Sequence, residues 1–470
     1  MRDWTGAKVV IIGAARQGLA LAFYLLQHGA RVWINDRQSD AQLSAAQTWL
    51  AQALAGSAAS GSLTWVTGGH PLELLDGADL LCPSGGVPLT LPLVVEAQRR
   101  GIPLSNDSQI FLEACPCPAI GITGSAGKTT TTTLVGRMAR AAFPETGSAR
   151  RVWVGGNIGQ PLISELDRMQ PGDLAVVELS SFQLELMSSS PAIAAILNIT
   201  PNHLDRHGTM EAYTAAKARI LQAQHSMDIA VLGRDDPGAW GLAATVRGAL
   251  LSFGRSPLPV GGAGTVACSD GSVLLRREPG APQEQVLEVG DLGLRGEHNR
   301  LNAAAACAIA VAAGLPGDAI RQGVQGFGGV PHRLQFVRQW GGAAWYNDSI
   351  ATAPERAMAD IRSFDEPLLL LAGGRDKNLP WGEFADLVRQ RVQTVVLFGE
   401  AAGLIDRALQ PYGGLTVLRC AGLHEAVLAA AQAVQPGQVV LFSPGGTSFD
   451  EFKDFEERGE CFIQWVNELP

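Results

Sequence analysis

The chain is poor in charge, in aromatic residues and in cysteines placed to pair. Charged residues make up 17% of the 470 positions and aromatic residues 6%. Disorder requires high charge and little apolar material, and 46% of these residues are hydrophobic, so disorder is excluded and several cores can be filled. Positive charge is the scarcer sign: 36 Lys and Arg against 45 Asp and Glu leave a net charge of −9. That balance excludes nucleic-acid binding by general phosphate neutralisation. Anionic small molecules stay possible wherever a loop supplies a local positive field. Long hydrophobic runs are missing too. Val9 to Ile12 and Leu368 to Ala372 are strand-sized, and nothing approaches the roughly 20 residues of a membrane span. Asp3 stands early and no apolar core follows, so a signal peptide is not expected. The 7 cysteines are odd in number and scattered, and Cys115-Pro-Cys117 does not have the spacing of a zinc or redox pair. Reduced thiols and a cytoplasmic location are expected.

What the chain does have is alternation. Short β-branched runs alternate with Ala- and Leu-rich amphipathic stretches, the pattern of α/β domains built on parallel sheets. At roughly 150 residues per domain the length predicts three. The stiff Cys115-Pro-Cys-Pro118 and the break Gly326-Phe-Gly-Gly-Val-Pro331 place the boundaries near 1–116, 117–328 and 329–470. Residues 255–290, rich in Gly, Pro and Ser, read as short strands and loops at the edge of the middle domain.

In the first domain Lys8 to Ile12 reads as a strand and Gly13-Ala-Ala-Arg16-Gln17-Gly18 as a turn into a helix ended by Gly29. Such a turn lets backbone amides approach a phosphate at the helix N-terminus. Asp36 ends the next strand, where an acid can accept hydrogen bonds from a nucleoside. The dinucleotide fingerprint G-x-G-x-x-G fails because position 15 is Ala, which weakens an NAD-linked oxidoreductase reading and leaves another nucleotide diphosphate open. Ser84-Gly85-Gly86 forms a second candidate loop after the strand Asp79 to Cys82.

The middle domain carries a phosphate loop. The strand Ala119 to Thr123 precedes Gly124-Ser125-Ala126-Gly127-Lys128-Thr129-Thr130, and a helix is predicted from Thr131 to Arg140. Amides of such a loop wrap a triphosphate, Lys128 reaches its outer oxygens and Thr129 ligates Mg²⁺. The strict Walker spacing fails, since the first Gly falls two places late. Glu178 ends the apolar run Asp173 to Glu178 and is a candidate Mg²⁺ ligand. His203, in Thr200-Pro-Asn-His-Leu-Asp205, is a candidate metal ligand, and Lys217 lies on the following helix.

Together these motifs resemble the Mur ligases, the ATP-dependent amino-acid ligases of peptidoglycan synthesis. The resemblance rests on Thr123 to Thr130, Asn198 to Asp205 with Lys217, Gly296-Glu-His-Asn-Arg-Leu-Asn302, Pro331-His-Arg333 and Asn347-Asp-Ser349. Glu178-Leu-Ser-Ser-Phe-Gln-Leu-Glu185, Gly155-Gly-Asn-Ile-Gly159 and Ser443 to Gly459 narrow it to the glutamate-adding branch. The resemblance implies a Rossmann-like N-terminal domain, a central P-loop ATPase domain and a C-terminal Rossmann-like domain for the amino acid. It implies ligation of D-glutamate to UDP-N-acetylmuramoyl-L-alanine through an acyl phosphate, with ATP and Mg²⁺, by a cytoplasmic monomer serving cell-wall growth and division. Gly13, Arg16, Gln17, Asp36, Ser84, Gly85 and Gly86 would hold the UDP moiety, and Asn157 and Gln183 the muramoyl end. Gly124 to Thr130, Asn302, Arg333 and Asp348 map to ATP contacts, and Thr352, Lys377, Ser448 and Phe455 to glutamate contacts. Lys217 matches a lysine that is carbamylated in the family; with Thr129, Glu178 and His203 it would hold the metal ions. Lys128, Glu178, His203 and Lys217 are the catalytic set.

One departure stands out. The family usually has Asp-Ser-Lys-Ala-Thr where this chain has Asp348-Ser-Ile350-Ala-Thr352. A cation is missing near the place where ATP or the amino acid should sit, so L-glutamate is the alternative substrate, and Arg375 or Lys377 is a candidate replacement.

Overall fold

The computed structural model describes residues 2–57, 59–144, 149–293, 296–377, 379–411 and 413–470. Contacts divide the chain into two compact units, Met1–Leu292 with Glu297–Gly326, and Gly293–Gly296 with Phe327–Pro470.

The first unit holds two sheets. One has four parallel strands in the order Ser62–Thr67, Arg31–Asp36, Lys8–Ile12, Leu80–Pro83. Val9, Val10, Ile11 and Ile12 are at most 1% exposed, because helices cover both faces of a parallel sheet and every side chain of a central strand must be apolar. The second sheet has nine strands. Its parallel part runs Val152–Gly156, Leu174–Glu178, Ala119–Thr123, Ile193–Ile196, Ile229–Gly233, Ala249–Gly254, Ala263–Ala267. Val273–Arg276 and Glu284–Leu287 close its edge antiparallel. The Gly-, Pro- and Ser-rich stretch is therefore three short edge strands joined by turns.

The helix after the phosphate loop spans Lys128–Ala142, three residues earlier than the sequence pattern suggests. The reason is local: Gly127 adopts φ +83°, a left-handed turn that delivers the chain straight into helical geometry.

The second unit is a six-stranded sheet in the order Gln335–Trp340, Ala343–Asn347, Val439–Gly445, Leu368–Gly373, Val392–Phe398, Thr416–Arg419. Only the first pair is antiparallel. Three loops, 348–352, 374–377 and 446–448, therefore leave the C-terminal ends of three adjacent strands, where open α/β sheets place their ligands. Among the described residues no helix is long and apolar enough to cross a membrane. All seven cysteines are free, with the Cys115 and Cys117 sulfurs 3.6 Å apart.

Candidate functional site

The phosphate loop is shaped by close approaches. A β-carbon on Gly127 would lie 2.2 Å from Asn302 Oδ1, so glycine there serves both the left-handed turn and the packing of Asn302. The segment 198–200 fastens the loop from below. Ser125 N donates to Asn198 O at 3.0 Å, Ala126 N to Asn198 Oδ1 at 2.9 Å, and Ser125 Oγ to Thr200 O at 2.9 Å. The motif quoted around His203 is thus the support of the phosphate loop.

Two lysines converge on one carbonyl. Lys128 Nζ donates to Gly124 O at 2.8 Å, and Lys217 Nζ donates to the same oxygen at 2.9 Å. Lys217 is 1% exposed, on the buried face of the helix Met210–Gln222. Burial pushes its ammonium down to about 6, helped by the positive charge of Lys128 and opposed by Glu178. The side chain is held as a neutral amine near neutral pH.

Glu178 is 1% exposed at the end of its strand. Its Oε1 accepts from Asn157 Nδ2 at 2.9 Å, while the buried Oε2 has no hydrogen-bond partner. An orphaned buried carboxylate oxygen beside a phosphate loop suits a cation. Among the described residues no three His, Cys, Asp or Glu side chains gather as a metal cage. Mg²⁺ rarely uses such a cage; it keeps waters and takes one or two carboxylates plus substrate phosphates. Glu178, the half-buried Thr129 and nucleotide oxygens fit that habit. His203 is exposed, in a left-handed conformation with φ +53°, its ring 5.1 Å from Phe182. The side chain of Asp205 lies outside the described residues.

At the turn after the strand Lys8–Ile12, Ala15 sits at φ −86° and ψ 179°, an extended conformation open to any residue, which accounts for the missing fingerprint glycine. Gly13 (φ +104°) and Gly18 are the constrained positions, since a Gly18 β-carbon would fall 2.0 Å from Gly13 O. Asp36 pins this turn: its Oδ2 accepts from Ala14 N at 2.9 Å and its Oδ1 from Gln38 N at 3.0 Å. Ser84 Oγ donates to Gly13 O at 3.3 Å, which brings the two predicted loops together. Gln17, Ser84, Asn106 and Asp107 share a small cleft there, and burial pushes the Asp107 carboxyl up to about 6.

Gln183, expected at the muramoyl end, lies inside the protein with its carboxamide hydrogen-bonded. It is 1% exposed and its carboxamide is spent. Oε1 accepts from Ser180 N and Oγ, both at 2.9 Å, and Nε2 donates to Ser108 Oγ at 2.7 Å. Its backbone carbonyl accepts from Asn106 Nδ2 at 2.7 Å. Gln183 thus ties the short helix Ser181–Leu184 to the start of the helix Asp107–Ala114. The spacing Ser180-x-x-Gln183 is a capping box, a signal available in the sequence.

In the second unit, Lys377 Nζ donates to Thr352 Oγ1 at 3.2 Å. The bridge between Arg375 and Thr447, with N–O distances of 2.9 and 2.8 Å, sets the loop of Lys377 beside that of Ser448. Ser448 is 2% exposed, and Phe455 is half-buried with its ring 6.2 Å from His332. Asp348, 3% exposed, accepts from Leu334 N. It forms a buried acid pair with Asp360, which accepts from Ser443 Oγ at 2.6 Å. Burial raises both carboxyls, and the neighbouring Asp348 charge raises Asp360 further. Arg333 is exposed, and its charge favours the Asp348 carboxylate.

Residues 122–310 match the Mur ligase middle domain, and residues 332–446 match the Mur ligase glutamate ligase domain. The chain belongs to the Mur ligase family. It is 40% identical over 464 residues to the UDP-N-acetylmuramoylalanine–D-glutamate ligase of Symbiobacterium thermophilum, covering 98% of both chains. It is 39% identical to the enzyme of the same name from Geobacillus kaustophilus, covering 100% of this chain and 99% of that one. The fold is also that of UDP-N-acetylmuramate–alanine ligase MurC from Thermotoga maritima, with a TM-score of 0.58 at 18% identity over 98% of this chain and 99% of that chain. MurF from Acinetobacter baumannii aligns with a TM-score of 0.56 at 17% identity, over 98% and 93% of the two chains.

Three residues of this Mur ligase escaped the sequence reading. His207 is 9% exposed, with Nε2 3.0 Å from Ser181 Oγ and Nδ1 3.2 Å from Glu185 Oε1. Arg206 reaches the carbonyl of Val87 and lies 4.5 Å over the Phe182 ring, tying the His203 segment to the Ser84 loop. Arg458 is fully buried, donating to Ser349 Oγ (3.0 Å), Ser349 O (2.8 Å) and Gly446 O (3.1 Å). All three sit inside motifs the sequence singles out, yet their partners are distant in the chain.

Proposed function

We propose that this Mur ligase joins D-glutamate to UDP-N-acetylmuramoyl-L-alanine using ATP, as a cytoplasmic monomer in peptidoglycan precursor synthesis. The observation that carries the chemistry is the convergence of Lys128 and Lys217 on Gly124 O beside the orphaned Glu178 oxygen. D-glutamate follows from the full-length likeness to ligases named for it; no such likeness speaks for L-glutamate, which is set aside. The division of labour is 1–116 for the UDP moiety, 117–328 for ATP and 329–470 for the amino acid.

In this reading the acceptor carboxylate attacks the γ-phosphorus, the bond to the bridging oxygen of ADP breaks, and an acyl phosphate forms. The glutamate amine then attacks the acyl carbon and phosphate leaves. Lys128 leaves Gly124 O and sets its ammonium against the phosphates, offsetting the repulsion between two anions. Gly124 to Thr130 and Asn302 hold the nucleotide, together with Arg333 and Asp348. Gly13, Arg16, Gln17, Asp36 and Ser84 to Gly86 hold the UDP moiety, with Asn157 toward the muramoyl end. Thr129, Glu178, His203 and Lys217 as its carbamate hold Mg²⁺, which supplies positive charge to the transferring phosphoryl group. A neutral amine is the form that takes up CO₂, and burial keeps Lys217 in that form. Thr352, Lys377, Ser448 and Phe455 receive glutamate.

The test is phosphate release with ATP, Mg²⁺ and UDP-N-acetylmuramoyl-L-alanine, run in parallel with D- and L-glutamate. Release with D-glutamate alone is expected. Release with L-glutamate alone would overturn the stereochemical assignment, and release with neither would overturn the ligase reading.

A further inference from the structure

Cys115 and Cys117 lie where the chain crosses from the four-stranded sheet to the nine-stranded one. Their spacing carries no redox signature, and their contact comes from the bend at Pro116. In an extended chain the side chains at i and i+2 point the same way about 6.5 Å apart. Here the two sulfurs are 3.6 Å apart, and Cys115 Sγ lies 3.4 Å from the Cys117 carbonyl oxygen. Backbone bonds anchor the bend on both sides. Cys115 N donates to Phe111 O at 2.8 Å and closes the helix Asp107–Ala114. Ala175 N donates to Pro118 O at 3.0 Å just before the strand Ala119–Thr123. A disulfide needs about 2.05 Å between sulfurs, so a closing movement of about 1.5 Å separates the contact from a bond.

The two sulfurs are not equivalent. Cys115 is half-buried, and Cys117 is 7% exposed. The hydrogen bond between them holds the Cys115 thiol below its usual range, against the opposing effect of burial. The same bond pushes the Cys117 thiol up, together with burial and the charges of Cys115 and Asp173. Cys115 is the sulfur that offers a thiolate, and Cys117 keeps a proton beside it. Cys82 and Cys307 differ from both: they are buried at 1% and 0% exposure, and burial raises their thiols.

We propose that Cys115 and Cys117 form a redox site, which hydrogen peroxide converts to a disulfide within the bend and small thiols reduce again. The Cys115 thiolate attacks a peroxide oxygen, the O–O bond breaks, and a sulfenic acid and hydroxide form. The Cys117 sulfur then attacks the Cys115 sulfur, the S–O bond breaks, and the Cys117 proton leaves with that hydroxide as water. In sum two thiols and one peroxide give a disulfide and two waters. In a compartment kept reducing by small thiols, such a pair is transient and senses oxidation. The modification falls two residues before the strand that leads into the phosphate loop, and it does not depend on the ligase reading.

The test uses the full chain. Trypsin cuts after Arg100 and Lys128 and leaves a peptide, 101–128, that holds both cysteines and no other. After treatment with hydrogen peroxide and then an alkylating agent, mass spectrometry should find this peptide unalkylated and about 2 Da lighter than its dithiol form. Dithiothreitol before alkylation should restore the uptake of two alkyl groups. Cys117→Ser should stop at a sulfenic acid on Cys115, trapped by a 1,3-dione. In Cys115→Ser, Cys117 should oxidise about 10-fold more slowly or less than Cys115 does in Cys117→Ser. Two alkyl groups on the wild-type peptide after peroxide would overturn the proposal. So would a persistent sulfenic acid in the wild type, or a disulfide from this peptide to another cysteine or a second copy of the chain. The wild-type map decides the question by itself if a variant fails to fold.

Discussion

Lys217 offers the sharpest test of the phosphate-loop chemistry. An ordinary lysine ammonium with a pKa of 10.5 leaves about one neutral amine per thousand side chains at pH 7.5. With its pKa pushed down to about 6 by burial, Lys217 is neutral in roughly thirty of every thirty-one molecules at that pH. The amine available to CO₂ is thereby raised about a thousandfold, before any gain from pairing the carbamate with a cation. The assay is ¹³C NMR of the protein in ¹³C-bicarbonate with Mg²⁺ and ATP, read beside turnover. A carbamate resonance is expected in the wild type and absent in Lys217→Ala. Turnover of the variant should be abolished, and short carboxylates such as acetate should restore part of it by placing an anion where the carbamate would stand. Full activity in Lys217→Ala would refute the reasoning, as would an active wild type that shows no carbamate signal after prolonged equilibration.

Two further outcomes follow from the first unit. Gly127→Ala must place a β-carbon 2.2 Å from Asn302 Oδ1 at φ +83°. The left-handed strain of about 1–2 kcal/mol, added to the displacement of Asn302, should raise KM for ATP about 10-fold, and an unchanged value would detach both residues from the nucleotide. Asp107 is raised from 3.8 to about 6 in the folded chain, so its contribution is full below pH 3.8 and is lost as pH rises through about 6. The gap corresponds to at most about 3 kcal/mol, so Asp107→Asn should gain stability relative to wild type between thermal melts at pH 4 and pH 7.5; parallel profiles would show that burial does not disfavour its charge.

The parts of the site legible in the sequence are those where the backbone dictates the residue. Gly127 must be glycine because of its φ and its neighbour, and the strand–loop–helix run around it reads without a structure. The strand ends at Asp36 and Glu178 are legible for the same reason, since an acid closing an apolar run must face something polar. Legibility ends where the partner is remote. Nothing near Gln183 in sequence announces Ser108, 75 residues away, or the tie it makes to the helix Asp107–Ala114. Arg375 looked available for the same cause: Glu400, 25 residues on, claims it.

Arg458 bears on how this enzyme can change. A buried guanidinium held by a serine and two carbonyls, without a carboxylate, cannot lose an acceptor cheaply. Substitutions that move the backbone at Ser349 or Gly446 strand a charge in the interior, and drift at those positions is closed. None of its bonds involves the Ile350 side chain. The interior anchor thus fixes the backbone of the loop and leaves the side chain at 350 free to change without disturbing that anchor.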